Sequence, residues 1–339
     1  MTKKYDTLVF ILRGQPFHNA HLEIVHRATA LCDNLIIVVG SANQPRTYKN
    51  PFTFDDRRQM IWEATRGLSL NIHIDSNIDT IYNDQAWAAR VQHIVSKYNI
   101  DGGKVGIIGH KKDESSFYFA MFPQWHLEEV PLFEPLDATN IRDLYFRRNA
   151  NMNFIKSVVP PTTFQWLTLF KESSEYQQLI NEREHIEAYK KQYASLPYPP
   201  IFVTSDAIVV QSGHVLMIKR RSEPGKGLMA LPGGFVNANT DNSVQDAAIR
   251  ELKEETGIKV PVPALIGNIR ATKVFDAINR SARGRTITHA FHIQLPDGPL
   301  PKVKGSDDAE KAVWIPIGEL NSSEIFEDHF EIISYFLGI

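Results

Sequence analysis

Three glutamates with helical spacing, Glu251, Glu254 and Glu255, are the first candidates for chemistry in this chain. Residues three and four apart lie on one face of a helix, so a helix here places the three carboxylates side by side. Such like charges repel each other, and Mg²⁺ or Mn²⁺ would turn the repulsion into a binding site because hard cations prefer oxygen ligands. Arg250 can pair with a neighbouring carboxylate and hold it in place. By spacing alone, the alternative is an acidic helix face in solvent.

A second group lies in the sequence RGQPFHNAH, residues 13–21. This stretch stands between an apolar run and a helical pattern, where a helix N-terminus favours a phosphate. His18 and His21 are three residues apart, so both imidazoles lie on one side of the first helical turn. Arg13 could add a bidentate phosphate contact. Alone, the pattern also allows a turn with two exposed histidines, or a metal pair, although no further metal ligand lies nearby in sequence.

Length and composition limit the classes of protein that could carry these groups. At about 150 residues per domain, 339 residues predict about two domains, and 43% hydrophobic with 22% charged residues indicates a globular protein. A net charge of −2 gives no argument for binding nucleic acid or an anionic membrane surface. The single cysteine, Cys32, cannot form an intrachain disulfide, and no apolar run approaches the roughly 20 residues of a membrane span. We therefore expect a cytoplasmic protein.

The elements that must position the two histidines alternate between strands and helices. Short apolar runs predict strands at residues 8–12, 35–39, 71–78 and 104–108. Helical patterns cover residues 20–32, 55–66 and 85–98, with Thr53 as the N-cap of the second. This alternation predicts an α/β Rossmann-like doubly wound parallel sheet, with ligands at the carboxyl ends of its strands.

The texture changes in the second half of the chain. Residues 1–163 form the predicted first domain, and residues 164–200 a polar helical connector that ends in the proline-rich sequence LPYPP. Residues 201–339 form the predicted second domain, with strands at 201–210, 215–220 and 286–294 and a single strong helix at 243–256. One helix among many strands predicts an α+β domain that presents the glutamates.

Three blocks in the first domain carry a family resemblance. Residues 13–21 resemble the His-x-Gly-His signature of the nucleotidylyltransferase superfamily, in the Gln-Pro-Phe-His-x-x-His form of the archaeal-type nicotinamide mononucleotide (NMN) adenylyltransferases. Residues 138–142, ATNIR, are similar to that family's Ser-x-Thr-x-x-Arg segment, and residues 50–58, NPFTFDDRR, to its Asn-Pro-Phe-Thr stretch. Ala20 and Ala138 replace the usual glycine and the usual serine or glycine, and we expect tighter packing there rather than lost chemistry.

The resemblance implies that an adenylyl group passes from ATP to NMN, giving NAD and pyrophosphate, with Mg²⁺ as a template. The residues that it implies for holding the ATP triphosphate are Arg13, His18, His21, Thr139 and Arg142. Of these, His18, His21 and Arg142 are the expected catalytic residues. Trp87 resembles the family's aromatic residue that stacks on the nicotinamide ring, with a buried structural indole as the alternative.

The carboxylate helix resembles the Nudix box, a metal-binding motif for diphosphate cleavage. The sequence LPGGFV (231–236) precedes the helix and Gly257 closes it, which implies Glu251, Glu254 and Glu255 as ligands of Mg²⁺ or Mn²⁺, and Glu254 and Glu255 as catalytic. The segment between Gly234 and Arg250 is two residues longer than the usual pattern, and residues 237–242 contain no glutamate. The first carboxylate of the box is therefore lost or replaced by Asp241.

The basic stretch before the strand at 286–294 is similar to that of the ADP-ribose pyrophosphatase branch of the Nudix family. Arg280, Arg283 and Arg285 could grip the diphosphate or terminal ribose phosphate of ADP-ribose, unless they belong to an ordinary solvated hairpin. Candidates for the general base, by position alone, are Asp307, Asp308 and Glu310.

The order of the two halves resembles the bifunctional NMN adenylyltransferase/Nudix hydrolase proteins. The expected ligands are ATP, NMN, NAD and ADP-ribose, with no nucleic acid or membrane partner, and the chain could form a homo-oligomer. One alternative keeps an active adenylyltransferase and makes the Nudix-like half a ligand sensor, which the altered 237–242 loop would favour. Another alternative replaces NMN as the acceptor of the adenylyl group by a flavin or pantetheine phosphate. The Gln-Pro-Phe-His form of residues 13–21 and the Asn-Pro-Phe-Thr block at residues 50–58 argue against it.

Overall fold

The amino-terminal half of the chain is built on a parallel sheet. The computed structural model describes residues 3–111, 114–131, 137–305 and 309–339, and the chain divides into two units, Met1–Asn181 and Glu182–Ile339. The elements up to the end of the sheet are β1 (Tyr5–Leu12), α1 (Asn19–Leu31), β2 (Cys32–Val39), α2 (Phe54–Thr65), β3 (Asn71–Ser76), α3 (Asp84–Tyr98), β4 (Val105–Gly109), a 3₁₀ helix (Glu114–Met121) and β5 (His126–Glu129).

Within the described residues of the first unit, five strands pair in the order β3-β2-β1-β4-β5, and every pair is parallel. The chain moves outward from β1 to β3 and then returns to the other side of β1, so the strand order reverses between β1 and β4. Open α/β sheets bind ligands at the carboxyl ends of the strands at such a reversal. The predicted doubly wound sheet is confirmed.

Strand β2 shows why the sequence forms a covered sheet. Its apolar residues alternate between two cores: Leu35, Ile37 and Val39 belong to one buried cluster, and Ile36 and Val38 belong to the other. A strand with apolar residues on both faces therefore buries all of them only when helices cover both sides of the sheet. The predicted N-cap of α2 is also confirmed, since Thr53 Oγ1 accepts a hydrogen bond from the Asp56 N–H at 3.2 Å.

Four helices follow the sheet in the described chain: α4 (Ala138–Tyr145), α5 (Met152–Val158), α6 (Pro161–Phe170) and α7 (Ser174–Lys191). Helix α6 and the first half of α7 contribute Leu167, Tyr176 and Leu179 to the core of the first unit. The division between the units, at residues 181/182, falls inside the segment that the sequence assigns to a connector.

The second unit is built on a mixed sheet. Its elements after α7 are β6 (Phe202–Gln211), β7 (His214–Arg220), β8 (Met229–Ala230), β9 (Gly233–Phe235), α8 (Val244–Thr256), α9 (Val262–Gly267), β10 (Ile269–Phe275), β11 (Thr286–Gln294), β12 (Ala309–Pro316), 3₁₀ turns at Ile317–Glu319 and Ser322–Glu324, and α10 (His329–Leu337). In the described part of this unit the strands run in the order β10-β11-β6-β7-β12, with β8 on β7 and β9 on β6. Strands β6 and β11 are parallel, and the other pairs are antiparallel.

The α+β prediction for the second unit is confirmed, but the expectation of a single helix is wrong. Helices α9 and α10 accompany α8 among the residues described. Helix α9 has six residues after Pro261, which is too short for a periodic pattern to reveal. Helix α10, HFEIISYFL, is so apolar that its sequence does not distinguish a helix from a strand. None of the helices in the described ranges is long and apolar enough to cross a membrane.

Candidate active sites

A cavity opens in the first unit at the reversal of strand order. It encloses about 390 Å³ and is lined by the end of β1 at Leu12, the end of β4 at Gly109, and the starts of α1 and α4. The predicted residues Arg13, His18 and His21 line it, and so do His110 and Tyr118. Two helix N-termini and an arginine around one cavity make an environment that favours an anion.

The two histidines stack on each other at the start of α1. Their ring centroids are 3.7 Å apart, and His21 Nδ1 accepts a hydrogen bond from the His18 backbone N–H at 3.4 Å. Burial lowers the pKa of His21 well below its usual value, and repulsion from His18 adds to the effect. His21 is therefore neutral at pH 7, and because its Nδ1 is an acceptor, its proton is on Nε2. This tautomer offers an uncharged N–H donor for a phosphate oxygen.

Gln15 joins the three sequence blocks of the first unit. Its buried side-chain amide pairs twice with the Phe52 backbone: Nε2 donates to the carbonyl at 2.9 Å and Oε1 accepts from the N–H at 3.0 Å. The Gln15 carbonyl in turn accepts from Arg142 Nη1 at 2.8 Å, and Arg142 Nη2 donates to Thr139 Oγ1 at 3.1 Å. The predicted residues Thr139 and Arg142 are thus held at the same loop as His18.

Arg13 and Trp87 occupy different parts of this region. The Arg13 side chain is 61% exposed, and its Nη2 lies 3.9 Å from Asp79 Oδ2, so the guanidinium remains largely available. Trp87, on the first turn of α3, packs edge-on at 6.0 Å against Tyr118, which lines the cavity. Trp87 therefore touches the cavity wall, and its contact with a nicotinamide ring stays a prediction.

In the second unit, Arg250 organises the start and the face of the carboxylate helix α8. Its Nη1 donates to Glu251 Oε1 at 2.8 Å and to Glu254 Oε2 at 2.9 Å. Its Nε and Nη2 each donate to one oxygen of Asp241 at 2.8 Å. This pairing with Arg250 lowers the pKa of Asp241 to about 2. Asp241 is thus a loop carboxylate that pairs with Arg250, and its replacement of the first carboxylate of the box stays a prediction.

Glu255 lies deeper in the same face. Its Oε2 accepts a hydrogen bond from the Gly233 N–H at 2.9 Å, and burial, followed by repulsion from Glu251, raises its pKa to about 8. The backbone presses equally closely on Glu251, because a Cβ added to Gly234 would lie 2.5 Å from Glu251 Oε1. Gly234 therefore allows strand β9 to lie directly against Glu251, whereas the missing side chain of Gly233 allows its close approach to Ser205 and Asp206 of strand β6.

These residues fit a divalent cation by their chemistry. Among the described residues no three acidic, histidine or cysteine side chains converge on one point, since Glu251 and Glu254 bond to Arg250. However, burial and, after it, repulsion from Glu251 raise the pKa of Glu255, and a cation beside these two carboxylates would offset both effects. Oxygen donors of this kind suit Mg²⁺ and Mn²⁺.

The three predicted ADP-ribose arginines have different surroundings. Arg280 is buried and donates from Nε and Nη2 to the two carboxylate oxygens of Asp328, both at 2.8 Å. Arg283 lies over the Phe235 ring, 5.1 Å from its centroid, and Arg285 Nη2 is 3.8 Å from Asp276 Oδ2. Arg283 is thus the one beside strand β9 and the Nudix-like segment, whereas Arg280 is committed to an internal ion pair.

None of the three candidates for the general base is seen in contact with Glu251, Glu254 or Glu255 in the described part of the chain. Asp307 and Asp308 lie outside the described residues. Glu310 is on β12, where its Oε2 is 3.2 Å from Lys219 Nζ.

Comparisons with known proteins agree with both halves. The Cytidylyltransferase-like family model matches residues 14–158, and the NUDIX domain model matches residues 202–336. A bifunctional NMN adenylyltransferase/ADP ribose pyrophosphatase from Francisella tularensis, solved with AMP and a Mn ion, is 34% identical and has a TM-score of 0.91. The match covers 98% of this chain and 99% of the Francisella chain. This chain belongs to the same bifunctional family.

Curated relatives match each half of this family member separately. A nicotinamide/nicotinic acid mononucleotide adenylyltransferase from Acinetobacter baylyi is 40% identical over 178 residues, which are 52% of this chain and 92% of that protein. An ADP-ribose pyrophosphatase from Methanocaldococcus jannaschii is 34% identical over 147 residues, which are 43% of this chain and 78% of that protein.

Three residues near the sites of this bifunctional family member were not predicted from the sequence. Gln15 stands inside the first motif, but nothing in the sequence reveals its pairing with Phe52. Arg57 is a charged residue on the buried face of α2 with Met60 and Ile61, a mismatch that could have signalled it. Asp206 is a lone acid inside the apolar strand β6; it is buried beside Gly233 and accepts a hydrogen bond from Thr288, and burial raises its pKa.

Proposed function

We propose that the first unit transfers the adenylyl group of ATP to NMN, giving NAD and pyrophosphate. Family membership supports the reaction, and the observation that carries it is the cavity at the strand reversal. There the stacked pair His18 and His21, the exposed guanidinium of Arg13 and the start of α4 surround one space. This is an anion site of the size and charge that a nucleoside triphosphate needs.

The residues of this cavity suit an in-line displacement. The 5′-phosphate of NMN attacks the α-phosphorus of ATP, forming a P–O–P bond while the bond to the β-phosphate oxygen breaks and pyrophosphate leaves. The attacking group is already an anion, so these residues need only orient the phosphates and offset their charge. Neutral His21 donates from Nε2, and Arg13 and Arg142 supply positive charge. Mg²⁺, when bound with ATP, would offset the negative charge of the phosphates.

We propose that the second unit hydrolyses ADP-ribose to AMP and ribose 5-phosphate. The main support is the double hydrogen bond between Asp241 and Arg250, which joins the 237–242 loop to helix α8 although this loop is longer than in the usual Nudix box. The reaction adds one water across the diphosphate, whose P–O bond breaks. Glu251, Glu254 and Glu255 would hold Mg²⁺ or Mn²⁺, which lowers the pKa of a bound water and offsets diphosphate charge. Arg283 would contact an anionic part of the substrate, a role that its position over the Phe235 ring of strand β9 supports.

The direct test follows AMP release from ADP-ribose by chromatography, using the full-length protein with Mg²⁺, with Mn²⁺ and without metal. Metal-dependent AMP would support hydrolysis at the three glutamates. Saturable binding of ADP-ribose without turnover would favour the alternative, in which this unit is a ligand sensor.

The acceptor of the first unit is tested in parallel. Pyrophosphate release from ATP is measured with NMN, with flavin mononucleotide and with pantetheine phosphate. We expect pyrophosphate release with NMN alone.

We also propose a cytoplasmic location, which the single buried cysteine supports. A homo-oligomer stays a prediction that sedimentation analysis would test.

A further inference from the structure

Arg57 on helix α2 is a fully buried arginine, with 0% of its surface exposed. It donates to backbone carbonyls: Nη1 to Arg13 at 2.7 Å and to Gly40 at 2.6 Å, Nη2 to Ser41 at 3.0 Å, and Nε to Thr53 at 3.1 Å. Among the described residues no carboxylate lies within ion-pair distance of it. The guanidinium is therefore used for its several directed donors rather than for an ion pair.

The carbonyls that Arg57 binds belong to the elements around the adenylyltransferase cavity. Arg13 directly follows β1, Gly40 and Ser41 directly follow β2, and Thr53 caps α2. Arg57 thus joins the carboxyl ends of two neighbouring strands to the start of a helix. Its closest functional neighbour is Arg13, whose carbonyl it holds and whose side chain reaches the cavity.

The turn after β2 requires such a restraint. Ser41 has a φ of 52°, in the left-handed region that non-glycine residues rarely adopt. Its carbonyl is held by Arg57, and its N–H donates to Asp79 Oδ1 at 3.1 Å. A backbone in this region persists when surrounding groups fix it, and such positions cluster at functional sites.

Burial of this charge is costly, which argues for a specific role. Burial lowers the pKa of Arg57 to about 10, so the side chain remains charged at pH 7. Removing a cation from water destabilises the folded state unless its donors are well satisfied. A planar guanidinium can reach carbonyls on three separate elements at once, whereas the ammonium of lysine is a single point donor.

We propose that Arg57 is a positioning residue for the adenylyl-transfer site, which fixes the backbone of Arg13 and thereby the aim of the Arg13 guanidinium at the triphosphate. The inference rests on the proposed transferase activity. It assigns Arg57 no contact with substrate.

The first test compares Arg57→Lys with Arg58→Lys, the same change at the adjacent, exposed position of α2. We expect Arg57→Lys to raise the KM for ATP about tenfold, while the KM for NMN stays within twofold. Arg58→Lys should change neither constant. An unchanged KM for ATP in Arg57→Lys would overturn the proposal, and so would equal rises for both substrates.

The second test asks whether Arg57 acts through Arg13. We expect Arg13→Ala to raise the KM for ATP, and the double variant Arg13→Ala/Arg57→Lys to differ from it by less than twofold. Additive effects would show that Arg57 acts independently of Arg13 and would contradict the proposal.

Loss of stability is separated by a matched core variant. Ile61→Val removes one buried methyl group from the same helix, which lowers the stability of the first unit without removing any Arg57 contact. KM does not depend on the amount of folded enzyme, so Ile61→Val should leave the KM for ATP unchanged. If circular dichroism at 25 °C shows that the first unit of Arg57→Lys is unfolded, Arg57 serves the stability of the fold and the proposal is overturned.

Calorimetric titration with Mg-ATP, without NMN, separates this inference from the proposed function. Failure of the wild type to make NAD would refute the function. The ratio of ATP affinities between wild type and Arg57→Lys would still decide the role of Arg57, with about a tenfold weakening expected.

Discussion

His21 is the residue whose chemistry the structure defines most narrowly. Its Nδ1 is occupied by the His18 N–H, and its pKa lies well below the usual value because the ring is buried and His18 repels its charge. The ring is therefore uncharged at physiological pH, with its proton on Nε2, and we propose that it donates this proton in a hydrogen bond to a phosphate. A donor aimed at a phosphate in a water-poor site contributes far more than it would in water.

Replacing His21 tests this assignment. We expect His21→Ala to lower kcat for adenylyl transfer about 10²–10³-fold, the usual cost of one preorganised donor. ADP-ribose hydrolysis in the same sample should be unchanged. The control is His26→Ala, an exposed histidine on the same helix, which should affect neither reaction. Equal loss of both activities in His21→Ala would point to unfolding instead.

Glu255 gives the matching prediction for the second unit. Glu255→Gln keeps the size of the side chain but removes the charge that a divalent cation needs, so ADP-ribose hydrolysis should fall below detection while adenylyl transfer persists. Asp246→Asn, at the start of the same helix, is the control and should retain hydrolysis. Normal turnover by Glu255→Gln would exclude this carboxylate from the metal site.

Helix α8 shows what an element contributes beyond its side chains. Ser243 caps its start by accepting from the Asp246 N–H at 3.1 Å, and Gly257 ends it in the left-handed conformation at φ 57°. Between these ends, Arg250 ties the helix to Asp241 in the preceding loop. The longer loop thus still delivers its carboxylate to the arginine.

Breaking this tie should disturb the helix face without touching the substrate. Asp241→Asn leaves the Arg250 guanidinium with one charged partner fewer, so Glu251 and Glu254 lose their orientation. We expect kcat for hydrolysis to fall about 10–100-fold, as is usual when the supports of metal ligands are removed. Asp297→Asn, in a surface turn, is the comparison. Full activity in Asp241→Asn would mean that the loop plays no part in catalysis.

Helix α10 carries a pH-dependent contribution to stability. His329 is buried at its first turn, Nδ1 accepts from the Leu231 N–H at 2.9 Å, and burial lowers its pKa to about 3. Between pH 6.5 and about 3 the unfolded chain binds a proton here that the folded chain does not. Stability should therefore fall by about 1.4 kcal/mol per pH unit as pH drops through this window. Thermal melts from pH 7 to 4 measure it.

The comparison for that measurement is His329→Gln, whose amide oxygen can also accept a hydrogen bond but does not titrate. Its melting temperature should decline less steeply with falling pH than that of the wild type. Identical slopes would show that other groups cause the acid sensitivity.

At the scale of the whole molecule, the sequence predicted the fold classes of both units. The structure brings Arg13, His18 and His21 to one cavity, and Glu251 and Glu254 to Arg250, while their roles stay predictions. Short apolar runs predicted β1 and β2, a strand pattern predicted β11, and the sequence motifs singled out His18 and Glu255 as candidates. It could not locate contacts between distant segments, such as Gln15 with Phe52 or Arg280 with Asp328, because nothing local encodes them. The short helix α9 and strand β9 were missed for the related reason that elements of six and three residues show no period.

Metal removal is the prediction that spans both units. The two sites use separate residues, but we propose that both reactions need a divalent cation to offset the charge of their phosphates. We expect a chelator to stop both NAD formation and AMP release, and added Mg²⁺ to restore both. His21→Ala and Glu255→Gln should each abolish one reaction only, whereas the chelator should abolish both. Comparing the three separates the loss of the cation from the loss of one site. Persistent AMP release in chelator would contradict a metal-dependent hydrolase.

The position of the unit division inside α7 has a practical consequence for fragment design. Tyr189 and Tyr193 pack against Phe202 with centroids 5.6 and 5.1 Å apart, and Glu182 Oε1 accepts from the Gly225 N–H at 3.3 Å. An expression fragment begun after the proline-rich stretch would lose these partners and leave Phe202 uncovered. Recombinant forms for spectroscopy or crystallisation should therefore begin at or before Glu182, some twenty residues upstream of the first strand of the sheet.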